Sequence, residues 1–120
     1  MKPLSPKPVV WMGNARAVLR EFPQEVREEI GYAIYLAQTG DKHPHAKPLH
    51  GFGPGTLEVV SDHRGDTFRA VYTVRLVERI YVLHAFQKKS KRGIATPKTE
   101  LDLMRRRLRR AMELHESQEI

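Results

Sequence analysis

The sequence contains no cysteine and no long apolar run. Without cysteine among its 120 residues, the chain cannot form disulfides, hold an iron–sulfur cluster through thiolates or use a cysteine nucleophile. A reducing compartment is compatible with this composition. No stretch of about 18 apolar residues occurs, so we expect no membrane-spanning helix. Residues 1–8 carry two lysines and three prolines with no apolar run behind them, so we expect neither a signal peptide nor an anchor there.

Acidic residues are scarce relative to basic ones. The chain has 21 Lys and Arg against 14 Asp and Glu, which gives a formal net charge of +7 at pH 7. A positive field of this strength favours a polyanionic partner, and the alternative is a basic surface that only improves solubility. With 40% hydrophobic residues, the composition predicts one soluble domain over residues 1–120. We expect residues 1–6 and 116–120 to be flexible.

Hydrophobic spacing predicts an α+β fold with the element order β-α-α-β-β-β-α. Asn14 is expected to cap the first helix, and Pro23 to end it and open the second. The predicted elements are a strand within Lys7–Met12, helices after Asn14 and over Pro23–Gln38, strands at Thr56–Asp62, Thr67–Val74 and Arg79–Gln87, and a helix beginning at Thr96 and Pro97. Short connections then predict a small, mainly antiparallel sheet, with the helical hairpin on one face and a C-terminal helix.

The segment Asp41–Gly55 is predicted to be a long loop. It holds three prolines, three glycines and three histidines in fifteen residues, and its length favours a functional or mobile segment. The histidines are His43, His45 and His50, whose spacing matches no common zinc pattern, and Asp41 is nearly the sole carboxylate nearby. We therefore expect neither a metal nor another cofactor.

A cluster of cations follows the last predicted strand. The run Lys88-Lys-Ser-Lys-Arg-Gly93 places four cations in six residues, and the predicted helix start at Thr96 points backbone amides toward the same place. This pattern favours phosphate binding by Lys88, Lys89, Lys91 and Arg92. The alternative is a solvated loop between a strand and a helix.

Alternation along the middle strand separates two faces. Phe68, Ala70, Tyr72 and Val74 share the face expected to pack under the helices, so Arg69 projects from the uncovered face. A cation on a rigid strand suits stabilisation of a charged transition state, whereas the alternative is a cross-strand ion pair with Glu58.

Two residues of the last strand also carry alternative interpretations. His84 has the side chain of a general acid–base at neutral pH, but it shares parity with Ile80, Val82 and Phe86, which favours a buried, hydrogen-bonded histidine. Phe86 either stacks on a base or belongs to the core.

The ordered motifs of the second half of the chain resemble the RelE/ParE toxin superfamily, in particular its HigB-like, phage-derived branch. The resemblance covers roughly residues 9–112. Its patterns are K-x-L, L-x-E, [YF]-R-x-x-Y and L-H-x-F-x-K-K. The corresponding strings here are Lys47-Pro-Leu49, Leu57-Glu-Val59 (in which Leu57 and Glu58 are adjacent), Phe68-Arg-Ala-Val-Tyr72 and Tyr81-Val-Leu-His-Ala-Phe-Gln-Lys-Lys89, and Thr96-Pro97 follows them. Many relatives have an arginine shortly after the glutamate, where this chain has Val60; the positive group is missing or moved to Arg64 or Arg75.

The resemblance implies a cytoplasmic toxin of a type II toxin–antitoxin system. Such a toxin is a ribosome-dependent mRNA endonuclease that inhibits translation without a metal, and its partners are mRNA, the ribosome and a helix-turn-helix antitoxin. It implies catalytic roles for Lys47, Arg69 and Lys88, with Arg69 as charge stabiliser, and substrate contacts for Lys89, Lys91, Arg92, His84 and Phe86. Two alternatives remain open: a non-enzymatic, ParE-like inhibitor of DNA gyrase, and a non-toxic, phage-derived RNA-binding protein.

Overall fold

The computed structural model describes residues 5–88 and 96–118 of the chain. The predicted α+β class and element order are confirmed, with one additional short strand. In chain order the elements are β1 (Val9–Trp11), α1 (Ala15–Arg20), α2 (Gln24–Gln38), β2 (Ala46–Pro48), β3 (Thr56–His63), β4 (Asp66–Thr73), β5 (Ile80–Lys88) and α3 (Lys98–Gln118). The helix α3 continues through residues 116–118, where the sequence led us to expect a flexible tail.

The five strands form one sheet with the order β1-β5-β4-β3-β2. The strands β2, β3, β4 and β5 pair antiparallel, as expected for strands joined by short connections, whereas β1 pairs parallel to β5. The turn between β3 and β4 is tighter than the sequence indicated. It consists of Arg64 and Gly65, whose positive φ angles of 50° and 85° suit a two-residue hairpin turn.

The additional strand β2 corrects the prediction of a loop over Asp41–Gly55. Ala46 is fully buried opposite Val59, and Lys47 pairs with Glu58 on β3. A strand of three residues between prolines and histidines has too little alternation to be recognised from its sequence. Its discovery places Lys47 on the edge of the sheet, not in a loop.

The two helices α1 and α2 cover one face of the sheet, as predicted. Their apolar residues pack on the side chains that alternation along β4 assigned to the core. This cluster contains Ala15, Leu19, Phe22, Val26, Ile30, Ala33, Ile34, Ala37, Ala46, Val59, Phe68, Ala70, Tyr72, Ile80, Val82 and Ala85.

The helix α3 packs on the opposite face, which the sequence led us to expect uncovered. Its Met104, Leu108 and Ala111 form a second buried cluster with Val71 of β4 and Phe52 of the β2–β3 loop. The expectation of a fully exposed face is therefore wrong over β5, because an amphipathic helix of 21 residues needs a surface on which to bury its apolar side. The face stays open over β2, β3 and part of β4.

A β-bulge in β5 determines which side chains reach α3. Val71 pairs with His84, but Tyr72 pairs with Val82, so Leu83 is an extra residue in β5. Leu83 and His84 consequently both lie on the α3 side of the sheet. The prediction that His84 and Phe86 share a face with Ile80 and Val82 is wrong, because alternation does not continue through a bulge.

Candidate functional site

The candidate site is the α3 side of the sheet, where residues of four strands stand in three rows. One row runs Lys47, Glu58, Val71 and His84; the next runs Val60, Arg69 and Phe86; the third runs Asp62, Thr67 and Lys88. Paired residues of neighbouring strands point to the same side of a sheet. The three residues expected to be catalytic, Lys47, Arg69 and Lys88, therefore lie on one face.

Their spacing across the sheet is unequal. With strands about 4.8 Å apart and about 3.3 Å per residue, the Cα atoms of Arg69 and Lys88 lie about 8 Å apart, and those of Lys47 and Lys88 about 20 Å. Two extended lysine side chains cannot close that second distance to meet at a single phosphate. Arg69 lies between the two lysines, so the geometry groups Arg69 with Lys88 and leaves Lys47 at the other end of the face.

Arg69 forms a cross-strand ion pair with Glu58, which is one of the two interpretations of Arg69 given by the sequence. Its Nη1 donates to Oε1 of Glu58 at 2.8 Å, and the two side chains are 21% and 15% exposed. The Nε of Arg69 is buried without a partner among the described residues. The ion pair fixes the position of the guanidinium while its remaining N–H groups keep the capacity to bind another anion.

A pocket of about 260 Å³ surrounds Lys47. Its lining is His45, Lys47, Glu58, Val60 and Asp62. Sequence reasoning did not single out His45 or Asp62 as site residues. His45 precedes Lys47 by two residues in a segment that was expected to be a loop, and Asp62 lines the same pocket only because β2 pairs with β3. Lys47 is exposed, and its ammonium makes no hydrogen bond within the described part of the chain, while Nδ1 of His45 lies 3.2 Å from Oε2 of Glu29 on α2. The pocket thus combines a free cation with carboxylates and an imidazole.

His84 is buried beneath α3 and is fully hydrogen-bonded. Arg107 Nη1 lies 3.2 Å from Nδ1 of His84, and Glu100 contacts Nε2. Because a guanidinium can only donate, Nδ1 accepts and the proton resides on Nε2, which donates to Glu100. Phe86 stacks on the imidazole with centroids 5.1 Å apart and is itself in the α3 cluster. In this arrangement both residues contact α3, and their expected substrate contacts stay predictions.

Arg107 connects α3 to two other parts of the fold. Besides His84, it donates to the carbonyl of Leu83 at 2.9 Å and to Oδ1 of Asn14 at 2.8 Å. Asn14 stands at the cap position of α1 as predicted, but its side chain caps nothing because it accepts from Arg107. Burial lowers the pKa of Arg107 below its usual value, and Arg106 lowers it further, whereas Glu100 opposes the shift.

The basic loop is only partly within the described residues. Lys88 is half-buried at the end of β5, opposite Thr67. Lys89, Lys91 and Arg92 lie outside the described residues, so their expected phosphate contacts stay predictions.

The position of Val60 bears on the arginine that relatives often carry. Val60 pairs directly with Arg69, so this row of the candidate face has one guanidinium. Arg64 lies in the β3–β4 turn, and Arg75 lies beyond the other end of β4, roughly 20 Å along the strand from Arg69. Neither residue occupies the place beside Arg69 that Val60 fills.

Neither a metal-binding cluster nor a membrane-spanning helix is found among residues 5–88 and 96–118. No three His, Asp or Glu side chains there lie close enough together to hold a metal ion. None of the helices in that part of the chain is long and apolar enough to cross a membrane.

Comparison with known proteins gives one sequence family and a set of distant structures. A family profile described as "Phage derived protein Gp49-like (DUF891)" matches residues 17–109. No curated protein is significantly similar in sequence. A double arginine-to-alanine mutant of Escherichia coli toxin RelE in the free state is 18% identical, with 68% of this chain and 82% of that chain covered and a TM-score of 0.49. The toxin–antitoxin complex RelBE2 from Mycobacterium tuberculosis gives 18% identity, coverage of 75% and 100%, and a TM-score of 0.47.

Proposed function

Because the chain belongs to the phage-derived Gp49-like family of the RelE/HigB-like toxin superfamily, we propose that it is the toxin of a type II toxin–antitoxin pair. The family match confirms the resemblance that the motifs indicated. We further propose that the toxin is an endoribonuclease that cleaves mRNA on the ribosome and thereby inhibits translation. Its proposed location is the cytoplasm, where its partners are mRNA, the ribosome and a helix-turn-helix antitoxin.

One observation carries the ribonuclease proposal: Lys47, Arg69 and Lys88 share one face of the sheet, with Lys88 at the end of β5. A protein that binds an RNA strand needs several cations that contact successive phosphates. Here the three cations come from the rigid strands β2, β4 and β5. The separation of about 20 Å between Lys47 and Lys88 spans more than one phosphate. This separation favours an RNA strand that lies across the face, with Arg69 at the central phosphate.

The proposed reaction needs no metal. The 2′-oxygen attacks the adjacent phosphorus, the bond from phosphorus to the 5′-oxygen breaks, and a 2′,3′-cyclic phosphate and a 5′-hydroxyl remain. A base must accept the 2′-hydroxyl proton, a cation must neutralise the phosphorane, and an acid must protonate the 5′-oxygen. Arg69 supports the second role, because the ion pair with Glu58 holds its guanidinium in place. Lys47 and Lys88 are proposed for proton transfer or phosphate binding.

The rival proposal is a non-enzymatic inhibitor of DNA gyrase. The cations on the candidate face argue for RNA, since a gyrase inhibitor needs no charge stabiliser at a reacting phosphate. The two proposals differ in the damage that expression causes. Mapping mRNA 5′ ends after induction reveals new cuts in the ribonuclease case, whereas DNA breaks without new mRNA ends would favour gyrase.

The test of the active site uses paired substitutions. Arg69→Ala would leave the half-buried Glu58 without its partner, which by itself costs about 1–3 kcal/mol of stability. We therefore compare Arg69→Gln/Glu58→Gln with Glu58→Gln alone, and measure the melting temperature of both. The double variant should lose growth arrest and about 10²–10³ in cleavage rate relative to Glu58→Gln alone, because the amide oxygen in the single variant still accepts from Arg69. A folded double variant that is fully toxic would remove Arg69 from the mechanism.

A further inference from the structure

A second concave surface lies on the same side of the sheet as the candidate face, between α3 and the β2–β3 loop. This groove has a volume of about 400 Å³ and is called the arginine groove below. It is lined by Gly51, Phe52, Gly53, Arg75, Arg105, Leu108, Arg109 and Met112. The proposed RNA chemistry uses none of these residues.

The floor of the arginine groove is apolar. Leu108 and Met112 of α3 line it, and the β2–β3 loop contributes Phe52, which is 4% exposed. Residues 105, 108, 109 and 112 recur at helical spacing, so one face of α3 presents both the apolar floor and two of the arginines. Such a surface accommodates an aliphatic side chain from a partner.

The rim of the arginine groove is positively charged. Arg75 and Arg109 are exposed and make no ion pair within the described residues, and Arg105 has a distant one, 3.6 Å from Asp102. Arg75 and Arg105 flank a loop of glycines: a Cβ added to Gly53 would lie 3.1 Å from Arg75 Nη1, and one added to Gly51 would lie 3.6 Å from Arg105 Nη2. Three guanidinium groups around an apolar floor match carboxylates around an aliphatic residue.

The same features favour a peptide over RNA. A base needs an open aromatic ring or guanidinium plane on which to stack. The ring of Phe52 is buried, and the guanidinium of Arg105 already lies over it at 4.9 Å from the centroid. The groove therefore offers an aliphatic floor and N–H edges, which suit an acidic peptide.

We propose that the arginine groove docks an acidic segment of the antitoxin, with an aliphatic side chain on Leu108 and Met112 and carboxylates on the arginine rim. This inference rests on the proposed function, which supplies the partner. The groove does not include Lys47, Arg69 or Lys88, so its residues can be substituted without changing the proposed catalytic residues.

The test compares two double variants with the same change of charge. Arg75→Glu/Arg109→Glu reverses the rim, and Arg16→Glu/Arg106→Glu reverses two exposed arginines outside the groove. The probe is the purified product of the reading frame adjacent to the gene of this chain, and its Kd is measured by calorimetry. We expect the rim variant to raise the Kd at least tenfold and the control variant to change it less than twofold. Circular dichroism melting verifies that both remain folded.

Three results would overturn the proposal that the arginine groove docks the antitoxin. They are an unchanged Kd for the rim variant, an equal loss in both variants, and no binding of the probe to the wild-type chain. A rim variant that binds the probe normally but no longer sediments with ribosomes would assign the groove to RNA, against this inference. Growth arrest and mRNA cleavage by the wild-type chain alone are scored separately. The absence of growth arrest and mRNA cleavage would contradict the proposed function. The comparison of Kd values tests whether the arginine groove docks the antitoxin.

Discussion

At the scale of single residues, the hydroxyl of Tyr72 is buried without a hydrogen-bond partner among the described residues. Tyr72 lies in the cluster beneath α1 and α2 and is 0% exposed. Burial disfavours its phenolate and raises the pKa of Tyr72 to about 12. An unpaired buried hydroxyl also loses its bonds to water without compensation.

Tyr72→Phe should therefore retain or increase stability at pH 7 and flatten the loss of stability at alkaline pH. In the wild type, the unfolded tyrosine ionises near pH 10 and the folded one near 12, so stability falls as the pH rises from about 10 to 12. Two pKa units correspond to at most about 2.7 kcal/mol. Urea unfolding at pH 7 and 11.5 measures both effects. The control is the exposed Tyr32→Phe, and equal pH profiles for the two variants would refute the argument.

At the scale of elements, Arg107 attaches α3 to the rest of the fold. Its guanidinium reaches Leu83 and His84 in the bulge of β5 and Asn14 before α1. Without it, the carbonyl of Leu83 and Nδ1 of His84 would lose their donor. A buried acceptor left unpaired costs about 1–3 kcal/mol.

Arg107→Met should lower the free energy of unfolding by about 2–3 kcal/mol and increase hydrogen exchange along α3, because the aliphatic stem is kept and the hydrogen bonds are lost. Arg106→Met is the matched control, since Arg106 is the exposed neighbour on the same helix. If both variants have the same stability, Arg107 does not hold α3.

Gly13 makes the attachment of α3 sensitive to a single methyl group. Its φ is +53°, and an added Cβ would lie 2.5 Å from Arg107 Nη2. Gly13→Ala should therefore destabilise the wild type by about 2–3 kcal/mol, through backbone strain and displacement of the guanidinium. In an Arg107→Met background only the strain of about 1–2 kcal/mol remains. Thermal unfolding of the four proteins gives the coupling, and strict additivity would mean that no displacement occurs.

Elements with a clear period were predictable from the sequence, and short or irregular ones were not. Alternation along β4 correctly separated Arg69 from Tyr72, and helical spacing found all three helices. The three-residue β2 lacks a period, so the pocket beside Lys47 could not be predicted. The bulge at Leu83 inverts the face of His84, and only the pairing register reveals it. The ion pair between Arg69 and Glu58 was one of two interpretations that alternation allowed, because both residues lie within regular strands.

At the scale of the whole molecule, the charge of +7 and the three cations on one face predict a strong dependence on salt. Binding a single-stranded RNA releases roughly 0.7 counterion per phosphate contact, so Lys47, Arg69 and Lys88 alone give a slope of about −2 in log K against log salt, and contacts by Lys89, Lys91 and Arg92 would steepen it. With the first three contacts alone, affinity should fall roughly 20-fold between 50 and 200 mM salt.

Arg69→Gln/Glu58→Gln should make this slope shallower by about 0.7, which is the share of one phosphate contact. Fluorescence anisotropy with a labelled single-stranded RNA measures both slopes. Arg20→Gln is the control because Arg20 is exposed on α1, on the other side of the sheet. A wild-type slope near zero would exclude phosphate contacts as the source of binding.

The parallel pairing of β1 with β5 has a consequence for the order in which the chain is made. Among the described elements β1 is synthesised first, but it pairs with β5, the last of the described strands, and Asn14 accepts from Arg107, 93 residues further along the chain. Contacts this distant in sequence close late and slow folding. A nascent chain therefore lacks the pairing of β1 until β5 has been made, and it lacks the attachment of α3 until Arg107 has been made. The proposed catalytic face is likewise incomplete until β5, which carries Lys88, has been made.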